Sequence, residues 1–328
     1  MTKTILFQRG KLGMLLAMLI LAISFPGAGQ ESAATAETPN SSGSELRTMS
    51  FNIRYDNPGD SVNAWPYRIR RVAGIFRLFE PDVVGVQEAL KSQINGLQAE
   101  IPEYDWYGVG RDDGEDGGEF CPVFYRRERL ELLEKATFWL SETPDTPGSR
   151  GWDAVCNRVV SWGKFRDKAT ENEFYFFNTH FDHAGPKARL ESAKLLRREI
   201  GKIAGRTPVI LTGDLNCRDT SVVYRTLLEN PGEESMPLLD AIARTLTPHH
   251  GPTGTFHGFT GVTEPGGRID YIFVTPAWQV RQHAILADHW DGRYPSDHLP
   301  VLVRFRFPPA EPASEPERQT VMAVQEAG

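Results

Sequence analysis

Three cysteines in 328 residues are too few to found a fold on disulfides, and an odd number cannot all pair within one chain. Cys121, Cys156 and Cys217 also form no Cys or His quartet suited to structural zinc. Five residues separate Cys121 from Arg127, the count found in thiol-dependent phosphatases. The intervening Pro-Val-Phe-Tyr-Arg is bulky and strand-like, whereas a phosphate cradle needs small residues whose N–H groups converge, so ordinary packing is the expectation. A membrane-spanning run is missing as well. The apolar stretch from Leu12 to Phe25 is shorter than the roughly 20 residues a spanning helix needs and ends at Pro26. Lys3, Arg9 and Lys11 precede it and Gly27-Ala28-Gly29 follow, the pattern of an export signal cleaved near residue 30. No cysteine follows to accept a lipid, so no stable membrane anchor is expected and the protein is placed outside the cell or in the periplasm.

An excess of basic charge is lacking too. Lys and Arg number 36 against 43 Asp and Glu, a net charge of −7. Removing the first thirty residues takes away three basic and no acidic side chains, leaving −10. Proteins that grip duplex nucleic acid usually display clustered cations, because phosphate contacts supply most nonspecific affinity. Only pairs such as Arg126-Arg127 and Arg197-Arg198 occur, and these read as solvated faces.

What is present is a globular composition, 40% apolar, with strand and helix signals in alternation. Residues 31–45, rich in Ala, Ser, Thr and Glu, read as a flexible spacer, and residues 308–328, punctuated by proline, as a disordered tail. Between them, residues 46–307 read as one domain without internal repeats. Arg47 to Ile53 is strand-like; Pro66 opens a helix with Ile69, Val72, Ile75, Phe76 and Phe79 on one face. Val83 to Val86, Phe174 to Phe177, Val209 to Leu211, Ile269 to Val274 and Leu299 to Phe305 read as strands, and Lys187 to Ile203 as a helix. A further helix is expected near Asp219, capped by Asp219 or Thr220.

Polar clusters stand at the edges of these strands, where a rigid frame can display catalytic groups. Ser50-Phe-Asn52, Gly85-Val-Gln-Glu88, Asn178-Thr-His180, Gly213-Asp-Leu-Asn216, Arg268-Ile-Asp270-Tyr and Ser296-Asp-His298 follow one another in that order. Each alone is a weak signal; six in register resemble the motif series of the endonuclease/exonuclease/phosphatase superfamily, with its deoxyribonuclease-I-like fold, across the whole domain. The resemblance implies an α/β four-layered sandwich, two packed mixed sheets with helices outside. It also implies a metal held at Asn52, Glu88 and Asp297.

The chemistry can be argued beside the resemblance. Phosphate-ester hydrolysis requires charge on the nonbridging oxygens to be neutralised, a water to be activated and the leaving oxygen to depart. Mg²⁺, with Mn²⁺ as the alternative, prefers carboxylate and amide oxygens and keeps several waters, which suits Glu88 with Asn52 and Asp297. Asp214 would activate or orient water and Asn216 would hold a phosphate oxygen. His298 would donate to the phosphate with its ring held cationic by Asp270, and His180 would be a second donor. Asp182 reads equally as an orienting group or a turn carboxylate. A glycine-rich acidic loop, Gly110 to Glu119, carries Arg111 as its only cation. Arg111, Arg158 beside Trp152 and Asn157, and His257 within Phe256-His257-Gly-Phe259 form the candidate substrate rim.

The function expected is that of an exported, metal-dependent phosphoesterase hydrolysing a small phosphomonoester or phosphodiester. A secreted DNA or RNA nuclease is the alternative the same chemistry permits. A binding protein that lost catalysis fits poorly, because every expected polar position is filled. The leaving group stays open among sugar, inositol, lipid headgroup and nucleotide.

Overall fold

Apolar side chains alternate along the strands and gather on one face of each helix, and burying both patterns generates four layers around three large cores and one small one. The computed structural model describes residues 45–229, 236–264 and 266–307. The expected export signal, the spacer up to residue 44 and the tail lie outside these residues.

In chain order the elements are β1 (Glu45–Asn52), α1 (Ile69–Phe79), β2 (Val83–Gln87), α2 (Lys91–Glu100), β3 (Tyr104–Tyr107), β4 (Val123–Arg126), β5 (Leu130–Trp139) and β6 (Val159–Asp167). They continue with β7 (Glu173–His180), α3 (Pro186–Ala204), β8 (Val209–Asp214), α4 (Val222–Leu228), β9 (Leu239–Asp240), β10 (Asp270–Val274), β11 (Gln279–Ile285) and β12 (Val301–Arg306). One six-stranded sheet runs β11-β12-β1-β2-β4-β3 and the other β5-β6-β7-β8-β10-β9. Each is mixed: β1 pairs parallel with β2 and β7 with β8, and the flanking pairs are antiparallel. The expected sandwich is therefore the observed fold.

Between the sheets lie Leu46, Val83, Phe174, Phe176, Ile210, Ile272 and Val274, with Tyr125 and Phe165 packed edge to face across the gap at 5.2 Å. Helices α1 and α2 cover the first sheet through Val72, Ile75, Phe76, Ile94 and Leu97, and α3 and α4 cover the second through Ala193, Leu196, Ile200, Val223 and Leu227. Pro66, expected to open α1, instead sits in a short 3-10 turn, Trp65–Tyr67, one residue ahead of the helix N-cap. The cap of α4 is Ser221, whose hydroxyl accepts from the Tyr224 N–H at 3.1 Å, not Asp219 or Thr220.

The sandwich interior changes character along its length. Side chains two apart share a face, so Leu46 is followed by Thr48, Ser50 and Asn52, Phe176 by Asn178 and His180, and Ile210 by Thr212 and Asp214. All of these are buried. Register aligns the polar ends: Asn52 lies opposite Gln87, His180 opposite Asp214, and Asp214 opposite Asp270. Asn178 ties the sheets together there. Its Nδ2 donates to the carbonyls of Val86 at 2.7 Å and Pro122 at 3.0 Å, and its Oδ1 accepts from Gln87 and Thr212. The bridge needs a glycine in β2, since a Cβ on Gly85 would sit 2.0 Å from Thr212 Oγ1 and 2.5 Å from Asn178 Oδ1.

Candidate active site

Where β1 and β2 end, their chains leave the sheet in the left-handed region, Arg54 at φ 56° and Glu88 at φ 62°. Asn52 Nδ2 donates to Glu88 Oε1 at 2.9 Å and to Asp214 Oδ2 at 3.0 Å, while Asn52 Oδ1 accepts from the Arg54 N–H at 3.0 Å. The backbone donor fixes which way the amide points. Asn52 thus presents hydrogen-bond donors to the carboxylates; the oxygen expected to serve as a metal ligand faces its own chain.

Donor atoms of Glu88, Asp214 and His298 lie within 4.8 Å of one another. The two carboxylates suit a hard divalent cation such as Mg²⁺ or Mn²⁺, with water filling its other positions and the imidazole beside it. Asp297 reaches the same region from the β12 side, its Oδ2 3.9 Å from Arg54 Nε, and Arg54 Nη1 lies 3.9 Å from Glu88 Oε2. Asp60 holds the Arg54 guanidinium at 3.0 and 3.1 Å. Burial raises the Asp297 carboxyl above its usual range, with the His298 charge opposing.

Asp214 lies at the centre. Burial and the neighbouring Asp270 push its carboxyl up to about 7, against the pull of His298 and of hydrogen bonds from the Asn216 N–H and Asn52. Its Oδ2 is 3.5 Å from His180 Nε2 and 3.7 Å from His298 Nε2. His298 Nδ1 is 2.9 Å from Asp270 Oδ2. Burial lowers the basicity of His298, but Asp270 and Asp214 outweigh it and hold the imidazole well above its usual value. His180 goes the other way: burial, then the charges of Arg158 and Arg111, hold it well below. Asn216 Nδ2 donates to the Phe181 carbonyl at 3.0 Å and to His180 Nε2 at 2.9 Å, so the proton of neutral His180 resides on Nδ1, which has no protein partner.

These groups open onto a cavity of about 430 Å³, which Arg111, Arg158, Phe256 and His183 also line. Arg111 pairs bidentately with Glu119 at 2.7 and 3.0 Å. Arg158 is buried, with Nη2 3.1 Å from His183 Nδ1 and Nε 3.6 Å from Asp182 Oδ2. Asp182 is the turn carboxylate of the two readings. It accepts from the N–H groups of Val155, Cys156, Ala184 and Gly185, and though burial works against ionisation, these bonds and Arg158 keep its carboxyl below the usual range.

His257, expected at the substrate rim, does not line this cavity. It is buried against Tyr294, ring centroids 4.3 Å apart, and burial with the His298 charge depresses it to about 4. Its neighbour Phe256 takes the rim position, 49% exposed and edge-on to His298 at 4.9 Å. Sequence reasoning missed Arg54, Asp60, Glu119 and His183, none of which belongs to a strand-end motif. A larger cavity, about 750 Å³, bounded by Phe79, His283, Leu302 and Arg304, contains no motif residue. Cys121, Cys156 and Cys217 are unpaired, and among the described residues no helix is long and apolar enough to cross a membrane.

Residues 49–298 match the model of the endonuclease/exonuclease/phosphatase family. The chain is 44% identical to a solved endonuclease/exonuclease/phosphatase from Bacteroides vulgatus, covering 80% of this chain and 99% of that one with a TM-score of 0.76. It is 38% identical to a mannosyl-6-phosphatase of Bacteroides thetaiotaomicron, covering 80% and 100% with a TM-score of 0.73. Nocturnin of Drosophila melanogaster is 24% identical over 83% of this chain, which spans 48% of that relative's length. The chain belongs to the endonuclease/exonuclease/phosphatase family.

Proposed function

We propose that this protein is an exported, Mg²⁺-dependent phosphoesterase whose substrates are small phosphate esters, phosphomonoesters foremost. The observation that carries the reading is the convergence, on one cavity, of Glu88 and Asp214, both held by Asn52, with an imidazole that Asp270 keeps cationic. The name of the mannosyl-6-phosphatase relative supports a small monoester, and the net charge of −7 argues against a polyanion.

A divalent cation held by Glu88, with Asp214 and Asp297 beside it, would neutralise phosphate charge and ease the departure of the ester oxygen. Asp214 orients the attacking water and takes its proton; a base near neutrality is suited to that transfer. Attack forms one P–O bond and the ester P–O bond breaks; the departing oxygen takes a proton from solvent water, leaving phosphate and an alcohol. His298, oriented through Nδ1 by Asp270, offers Nε2–H to a nonbridging oxygen. Asn216 fixes the tautomer of His180 while its own N–H orients Asp214.

Titration calorimetry with Mg²⁺ and Mn²⁺ tests the metal assignment. Wild type should bind one of them, and Glu88→Gln should weaken that binding at least about tenfold while the chain stays folded, since a charged ligand is replaced by a neutral one. Wild-type affinity in Glu88→Gln would remove Glu88 from the metal site.

A further inference from the structure

Part of the cavity lining is built of charges that already have partners yet keep open donors. Arg158 is only 5% exposed, and its Nε and Nη1 make no hydrogen bond; Arg111 Nε and His180 Nδ1 are likewise buried and open. Arg111, Arg158 and His180 line a recess of about 10 Å³ that shares these residues with the cavity. That volume holds about one oxygen atom. Buried N–H groups without acceptors are costly, so the recess is suited to an oxygen brought by a ligand.

Charge decides which kind of oxygen. Both oxygens of Glu119 face Arg111, and Asp182 lies 3.6 Å from Arg158, so each guanidinium has a carboxylate counterion. A second phosphate or a carboxylate would meet those acids, whereas a neutral hydroxyl accepts from the open N–H groups without adding charge. Phe256, which lines the same cavity, offers a half-exposed ring that can cover an apolar C–H surface. An aromatic face and paired Arg and Glu groups in one cavity complement a ring with one apolar face and an edge of hydroxyls.

Resting on the phosphoesterase reading above, we infer that the leaving group is a cyclic polyol and the substrate a monophosphorylated sugar ring, with a ring hydroxyl in the Arg158 recess and a C–H face on Phe256. The scissile phosphate then lies toward Glu88 and His298, and Arg158 sets specificity. In steady-state kinetics with Mg²⁺, the full chain is given a hexose 6-phosphate, a hexose 1,6-bisphosphate, ethyl phosphate and a nucleoside 5′-monophosphate. Wild type should favour the hexose 6-phosphate over ethyl phosphate by about a hundredfold or more in kcat/KM, and over the bisphosphate by about tenfold, as two or three satisfied hydrogen bonds would give. Arg158→Lys should cut the hexose-to-ethyl ratio at least about tenfold, mostly through KM. Because Arg158 is buried, Phe256→Ala provides a second variant at an exposed position, and it should cut the same ratio about fivefold.

An Arg158→Lys loss equal on hexose and ethyl phosphates would overturn the inference by placing that side chain at the reacting phosphate. Preference for the bisphosphate, or for the nucleotide with loss confined to Phe256→Ala, would overturn it as well. Equal wild-type efficiency on hexose and ethyl phosphates defeats only the leaving-group assignment; no metal-dependent hydrolysis of any ester defeats the phosphoesterase reading too.

Discussion

Asp214 carries opposite demands, because the features that make it a base near neutrality also make it expensive to fold. A carboxyl raised from 3.8 to about 7 in the folded chain is ionised more readily in the unfolded one, so its contribution to stability declines as pH rises through that window. Asp214→Asn removes this penalty. In metal-free buffer near pH 7 its melting temperature should equal or exceed that of wild type, while turnover with metal falls about a hundredfold or more. His298→Ala should lower turnover as much, by removing a donor aimed at the phosphate. If either variant keeps wild-type turnover on an ester that wild type hydrolyses, its role is misassigned. At this scale the sequence was partly legible. Glu88, Asp214, Asp270 and His298 stand where strand-end motifs put them, but the direction in which the Asn52 amide points depends on the Arg54 N–H, a contact that no pattern encodes. Phe256 and His257 are neighbours in one motif, and only the backbone between them decides which ring faces the cavity.

Elements hold these residues through polar ties inside the fold. Arg68, fully buried, donates to the carbonyls of Ile53 at 2.7 Å, Pro295 at 2.8 Å and Arg54 at 3.1 Å, joining the exit of β1 to the loop that carries Asp297 and His298. Gln93 on α2 does similar work, accepting from the Asp56 N–H at 2.9 Å and donating to the Arg54 carbonyl at 3.0 Å. Such ties explain why α2 went unseen in the apolar pattern: its buried face is Gln93, Ile94 and Leu97, too short a stripe to register. Helices α1 and α3 were legible because their stripes are long. Gly85→Ala tests the tie between sheets. The added methyl would meet Thr212 and Asn178 well inside contact distance, so the variant should lose about 3 kcal/mol in denaturant unfolding. A loss below about 0.5 kcal/mol would mean that the Asn178 bridge is not fixed as described.

For the whole molecule, the apolar-to-polar gradient inside the sandwich concentrates catalytic groups at one end and leaves stability to the other. The layers were legible only through the resemblance that the motif series carries; in the fold, the parallel pairs β1–β2 and β7–β8 bring those motifs to the same edge. Pairing between distant segments, such as β12 beside β1, is set by packing between chain ends and was not legible. Away from the site, His283 is depressed from 6.5 to about 3 by burial, with the charges of His249 and Arg268 adding to it. Below about pH 6.5 the unfolded chain takes up a proton that folded His283 refuses, so stability should fall by up to about 1.4 kcal/mol per pH unit toward pH 3. Thermal melts from neutral to acid pH should show a shallower decline in His283→Gln than in wild type; parallel curves would exclude this histidine as a source.

The central claim is metal-dependent hydrolysis of a small phosphate ester by the Glu88–Asp214–His298 site. It is tested most directly by comparing kcat/KM of the purified chain on small phosphomonoesters and on single- and double-stranded nucleic acid, with Mg²⁺ and with chelator, at low salt where attraction to polyanions is strongest. Turnover of at least one small monoester should require the metal and exceed nucleic-acid cleavage by about tenfold or more, because a net charge of −7 repels a polyanion more than a single phosphate. Efficient nucleic-acid cleavage that collapses with added salt, beside negligible turnover of every small ester, would contradict the account and identify a nuclease.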